Sequence, residues 1–82
     1  MASIYDPRYA DLRRRLRAAR LRAGLTQVEA ASRLGKNQQY INRCEAGDRR
    51  VDFLEILDFA VLYECPLESF IPSSPSDSIE LK

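Results

Sequence analysis

Gln38, Gln39, Asn42 and Arg43 set three carboxamides and a guanidinium at offsets of one, four and five residues. On a helix those offsets put all four side chains on one face. A carboxamide donates and accepts at once, so glutamine can bridge N6 and N7 of an adenine, and arginine can reach guanine or a phosphate. That chemistry reads the edge of a nucleic acid; the plain alternative is a merely soluble helix face. Catalysis has no comparable support. With no histidine, no glycine-rich phosphate loop and no nucleophile beside a base, the usual constellations cannot be assembled. The expectation is a protein that is not an enzyme and uses no cofactor. Glu55 and Asp58 share a helix face but read as solvated carboxylates. Cys44 and Cys65 are too few for a disulfide scaffold and lack metal-ligand spacing. Cys44 reads as a small buried hydrophobe, and nothing marks either thiolate as activated.

The elements that must position these residues are written in caps and glycines. Asp6-Pro7 starts a first helix, about 7–23, with Tyr9, Leu12, Leu16, Ala19 and Ala23 in one apolar stripe and Gly24 as its left-handed terminator. Thr26-Gln27-Val28-Glu29 is a capping box for a second helix, roughly 27–33, which turns Ala30, Ala31 and Leu34 inward. Gly35 supplies the turn, and Asn37 caps a third helix, roughly 38–45, with Ile41 and Cys44 toward the core. Gly47 ends it, and Asp48-Arg49-Arg50 reads as an exposed loop. Asp52 caps a fourth helix, roughly 53–63, so apolar around its circumference that wide burial is expected. Pro66 opens a fifth, about 66–71. The Pro- and Ser-rich run from Pro72 is linker composition and predicts a mobile tail over 72–82, with residues 1–6 as an N-terminal arm and 7–71 as the folded domain. No strand signal and no internal repeat is present.

Eighty-two residues allow one domain with a modest core, and a hydrophobic content of 45% suits a helical bundle. No apolar run approaches the roughly 18 residues of a membrane span, and the N-terminus lacks a secretion signal's apolar core. A soluble, cytoplasmic protein is expected. The net charge of +1 conceals a split: residues 1–50 carry 12 Lys/Arg against 5 Asp/Glu, whereas 51–82 carry 1 against 7. One half suits a polyanion and the other does something else, although arginine runs are often only a solvated face.

Leu16, Arg20, Gly24-Leu25-Thr26-Gln27, Ala31, Leu34-Gly35, Gln38, Ile41 and Glu45-Ala46-Gly47, followed by an apolar helix, form a pattern over residues 12–71. It resembles the repressor/Cro-type, or xenobiotic response element, helix-turn-helix family of bacteria and phage. The resemblance implies a compact, all-α, five-helix, lambda-repressor-like domain with the motif at helices 2 and 3. It also implies a DNA-binding regulator, such as a repressor, that reads double-stranded DNA with helix 3. Base reading would fall to Gln38, Gln39, Asn42 and Arg43. Backbone contacts would fall to Thr26, Gln27, Lys36, Asn37, Tyr40, Arg49 and Arg50, with Gln27 also supporting Gln38. For Tyr40 the alternatives are a thymine methyl, a sugar, or a fold back onto helix 2. Arg13, Arg14, Arg17 and Arg22 are weaker candidates, because only one side of helix 1 can face a duplex. A buried Arg20–Glu45 ion pair is implied between helix 1 and the end of helix 3; otherwise Arg20 is another phosphate-facing arginine. The chain departs from the family pattern at Ala30 and Lys36, where larger apolar residues are common, and at Cys44. The first two predict looser packing between helices 2 and 3 unless Tyr40 compensates.

One short helix-turn-helix reads few base pairs, so a homodimer on two half-sites is expected. Leu54, Phe59, Val61, Tyr63, Leu67, Phe70 and Ile71 form the pool for its seam, with Ile56, Leu57 and Ala60 assigned to the core. The competing reading is a protein-interaction module with the same fold, such as an antitoxin or anti-activator, motivated by the acidic, apolar C-terminal half. No effector pocket is expected between such short helices.

Overall fold

The computed structural model describes residues 6–47 and 49–71. The tail expected over 72–82, the arm apart from Asp6, and Asp48 lie outside these residues. Four α-helices follow in order: α1 (Pro7–Arg22), α2 (Gln27–Leu34), α3 (Gln38–Ala46) and α4 (Phe53–Leu62). A short 3-10 turn over Leu67–Phe70 closes the described chain, and no strand occurs among the described residues.

Each α-helix begins on a side chain that satisfies one of its orphan N–H groups. Asp6 accepts from the Arg8 amide at 2.8 Å and Asn37 from the Tyr40 amide at 3.1 Å. α2 and α4 carry reciprocal boxes. Thr26 accepts from the Glu29 amide while Glu29 accepts from the Thr26 amide, and Asp52 and Glu55 repeat the exchange. The C-termini share a geometry too. At Gly24, Gly35 and Glu64 the chain turns left-handed, and the next residue's amide reaches back five positions: Leu25 to Arg20, Lys36 to Ala31, Cys65 to Ala60. Two glycines adopt that conformation freely, whereas Glu64, at φ 54°, does so against its own Cβ.

The core joins Leu16 and Ala19 of α1, Ala30 and Ala31 of α2, Ile41 and Cys44 of α3, and Phe59 of α4 with Leu25, Val51, Tyr63 and Phe70. Ala30 is wholly buried, so α2 brings a methyl group rather than a larger side chain into the core at this position. Burying a side chain such as Phe59 or Leu16 contributes about 1.5–3 kcal/mol relative to exposure. Arg15 of α1 reinforces the closure, donating to Asp11 at 3.1 Å and to the Ser69 carbonyl at 3.2 Å.

Two expectations need correction. The fifth helix is only the four-residue 3-10 turn, because extended Pro66 and Ile71 bracket it and Pro72 disfavours a helical Ile71. So short a segment cannot offset the cost of nucleating an α-helix. α4 is not buried widely: Phe53, Leu54 and Val61 stay 63%, 69% and 79% exposed. Its inward side meets α2, the 3-10 turn and, through Phe59 and Glu55, Tyr40 of α3, whereas Phe53, Leu54 and Val61 are left uncovered among the described residues. An open cleft of about 400 Å³ lies where α1, α2 and α4 end, floored by Ala19, Leu25 and Tyr63 and flanked by Arg22 and Arg33. Both arginines sit in the last turns of their helices, where a cation complements the helix dipole.

Candidate nucleic-acid interface

Gln38, Gln39, Asn42 and Arg43 are all exposed on the outward side of α3, while Ile41 and Cys44 face the core. The periodicity forces this division, since the apolar pair lies three residues apart and the polar four fill the remaining arc.

A polar chain runs beneath that face. Arg20 reaches from α1 to α3 and donates through Nε to Glu45 Oε2 at 2.7 Å and through Nη2 to Glu45 Oε1 at 3.0 Å. Its Nη1 donates to the Leu25 carbonyl at 2.9 Å, just before α2. Both charged side chains are nearly sealed, at 7% and 6% exposure. The Glu45 carboxylate raises the Arg20 pKa above its ordinary value against the opposing effect of burial. Glu45 Oε1 also accepts from Gln27 Nε2 at 3.2 Å, and Gln27 Oε1 accepts from Gln38 Nε2 at 3.0 Å. Gln27 Nε2 lies 3.5 Å from Asn42 Oδ1 as well. The Gln27 amide is therefore spent inside the protein. Gln38 keeps one N–H and its carbonyl oxygen, the donor–acceptor pair an adenine edge requires.

A second cluster lies on the α4 side. The Tyr40 hydroxyl donates to Glu55 Oε2 at 3.0 Å, and its ring stacks toward Phe59 with centroids 6.2 Å apart. Arg49 Cζ sits 5.0 Å from the Tyr40 ring centroid and Lys36 Nζ 5.2 Å from it. Arg49 Nη1 donates to both Glu55 oxygens, at 3.0 and 2.9 Å. Burial and the bond to Glu55 push the Tyr40 phenol above its usual range. Tyr40 thus folds onto α4 rather than onto α2, and Arg49, partly exposed, is tied to Glu55 and the Tyr40 ring, while Arg50 of the same loop is exposed. Glu55 is the member sequence reasoning missed: it is no solvated carboxylate but the acceptor at which Tyr40, Arg49 and the Asp52 amide converge. The Asp52-x-x-Glu55 box spacing was the available signal, although it announces only the bond to the Asp52 amide.

The remaining candidates divide simply. Thr26, Lys36, Asn37 and Arg50 are exposed, as are Arg14, Arg17 and Arg22. The Arg13 side chain lies against Gly47, where a Cβ would come within 2.7 Å of it. Of the pool for a dimer seam, Phe59, Tyr63 and Phe70 are buried in this chain's own core at 1%, 5% and 2% exposure, and Leu67 is half-buried. Leu54, Val61 and Ile71 remain exposed, together with Phe53, which that pool omitted. Among the described residues no cluster could hold a metal ion, and no helix is long and apolar enough to cross a membrane.

Comparison with curated proteins gave no match. A family model described as a helix-turn-helix domain matches residues 11–69, from the first turns of α1 into the 3-10 turn. Within that span α2, the left-handed Gly35 turn and α3 form the two-helix unit, with the polar side of its second helix turned outward. This chain belongs to the helix-turn-helix domain family, a family of DNA-binding proteins.

Proposed function

We propose that the chain is a sequence-specific transcriptional regulator of the repressor/Cro type, reading an operator in the major groove with α3. The observation that carries this reading is the chain Arg20–Glu45–Gln27–Gln38, which holds a base-reading carboxamide in place from beneath. A merely soluble helix face has no use for such support, whereas base recognition depends on a side chain fixed before contact. Gln38 and Gln39 read bases nearest the start of α3, with Asn42 and Arg43 one turn on. Thr26, Lys36, Asn37 and Arg50 supply backbone contacts, joined by the main-chain amides opening α2 and α3. Gln27 contributes through its main chain, since its side chain is committed to Glu45 and Gln38.

A homodimer doubles this short reading surface on an inverted repeat. Phe53, Leu54 and Val61, exposed on α4 within the acidic half, supply its apolar seam and leave the basic half to DNA. Such a regulator works in the cytoplasm. Selection from a random duplex pool at near-physiological salt tests the proposal. Recovery of an inverted repeat supports it, and recovery of no motif defeats it.

The same exposed α4 side also supports the second reading, a module that docks another protein as an antitoxin or anti-activator does. Its mark is a stable hetero-complex combined with weak, sequence-blind DNA affinity.

A further inference from the structure

α3 is held at two poles. One is Glu45, which ties it to Arg20 and Gln27. The other is Glu55 on α4, whose carboxylate accepts from the Tyr40 hydroxyl, from the Asp52 amide and, with both oxygens, from Arg49 Nη1. Arg49 is further held by the Tyr40 ring at 5.0 Å and by Cys44 Sγ at 3.7 Å, which leaves its side chain 36% exposed. We infer that Glu55 is a positioning residue for specificity, which withholds Arg49 from the DNA backbone and uses it, with Tyr40, to fix the pose of α3 against α4. This rests on the reading of α3 as the recognition helix.

An arginine on a phosphate strengthens binding to every sequence alike, because phosphates carry no sequence information. In the loop beside a reading helix, such a contact raises the sequence-blind background. To reach a phosphate, Arg49 would have to give up charge-assisted bonds to Glu55 and its contact with the Tyr40 ring in return for one solvent-exposed partner. Held on Glu55, the same guanidinium covers the ring that joins α3 to Phe59 of α4. The arginine at this loop position therefore braces the reading helix and does not clamp DNA.

The test is the salt dependence of full-chain binding to a random-sequence duplex and to the selected operator. Glu55→Gln keeps an amide oxygen for the α4 capping box, where glutamine also serves, and removes the charge that retains Arg49. The variant should bind random duplex more tightly, steepen the slope of log K against log salt by about 0.9, and discriminate less well between operator and random DNA. Arg49→Ala alone should leave the wild-type slope unchanged, and in the Glu55→Gln background it should abolish the steepening. An unchanged slope in Glu55→Gln overturns the inference. So does a slope shallower by about 0.9 in Arg49→Ala alone, which would mean that Arg49 already sits on a phosphate. If selection recovers no operator but the slopes behave as stated, sequence-specific reading fails while the hold on Arg49 stands. No duplex binding by wild type and Glu55→Gln alike defeats both.

Discussion

Gln38 of α3 donates its side-chain amide to Gln27 Oε1 of α2 at 3.0 Å, and Gln27 in turn donates to Glu45 at 3.2 Å. The two helices of the motif are thus joined by a side-chain bond at the point where reading would occur. Free in solution, a glutamine at the start of a helix samples many rotamers, and fixing one on contact costs about 0.5–1.5 kcal/mol. On the proposed reading, Gln27 removes part of that cost before DNA arrives.

Gln27→Ala should therefore weaken operator binding by about 1 kcal/mol, most of it as lost discrimination at the base that Gln38 reads. Combined with Gln38→Ala, the loss should be less than additive, because the second substitution removes what the first supported. A binding titration over operator variants for both single mutants and the double mutant measures the coupling. Strict additivity would separate the two glutamines.

Stability and reading should come apart at the buried ion pair. Arg20→Ala strands the Glu45 carboxylate at 6% exposure, and losing one partner of such a pair costs about 3–5 kcal/mol. Against a total of roughly 5–15 kcal/mol for a domain, that is a large fraction. Replacing both partners with apolar residues of similar size, Arg20→Met with Glu45→Leu, should be neutral or stabilising by about 1–4 kcal/mol. The double variant nevertheless leaves Gln27 without its carboxylate acceptor. It should melt as the wild type does or higher, yet bind operator more weakly. Denaturant unfolding and operator titration on the same preparations decide it; retained operator affinity would remove Glu45 from the support of α3.

The first three helices were legible because local rules suffice there. Asp6, Thr26 and Asn37 cap them, Gly24, Gly35 and Gly47 end them, and their apolar stripes share one core. What escaped the sequence depends on contacts between distant segments. Tyr40 and Glu55 meet across a loop, so Glu55 looked solvated when considered on its own helix. The apolar composition of α4 gave its hydrophobicity correctly but not how many neighbours it would find. Phe59 reaches the core, while Phe53, Leu54 and Val61 do not. The last segment carries the helix-start signal of Pro66, but Pro72 keeps Ile71 extended and holds the segment to one 3-10 turn.

The turn after α4 was hidden for another reason, since it repeats a glycine geometry without a glycine. Glu64 holds φ at 54° and donates to the Val61 carbonyl at 3.2 Å, while Cys65 donates to Ala60 at 3.1 Å, as the residues following α1 and α2 do. A left-handed conformation costs an L-residue about 1–2 kcal/mol, and a carboxylate at a helix C-terminus also opposes the dipole. Glu64→Gly relieves both but gains unfolded-chain entropy, so a net stabilisation of about 0.5–1 kcal/mol is expected. Thermal unfolding reads this directly, and a lowered midpoint would show that the Glu64 side chain has a stabilising role.

Cys44 and Cys65 should differ in reactivity and in their effect at alkaline pH. Cys44 is fully buried and Cys65 half-buried. Burial, opposed by the neighbouring Arg49, raises the Cys44 thiol above its ordinary pKa. A thiol reagent at neutral pH should label Cys65 rapidly and Cys44 only on opening of the core, so Cys44 labelling should track global unfolding. The raised pKa has a fixed sign for stability. The folded state prefers the neutral thiol, so this contribution is fully present below about pH 8.5, where the free thiol titrates, and is lost as pH rises through the folded value. Tyr40 and Tyr63 act in the same direction above about pH 10, because burial raises both phenols. Stability should therefore decline in steps through the alkaline range. Cys44→Ala should remove the first step while costing packing at every pH. Equal labelling rates for the two thiols would show that the core at α3 is open to solvent, and a first step that persists in Cys44→Ala would assign that step to another group.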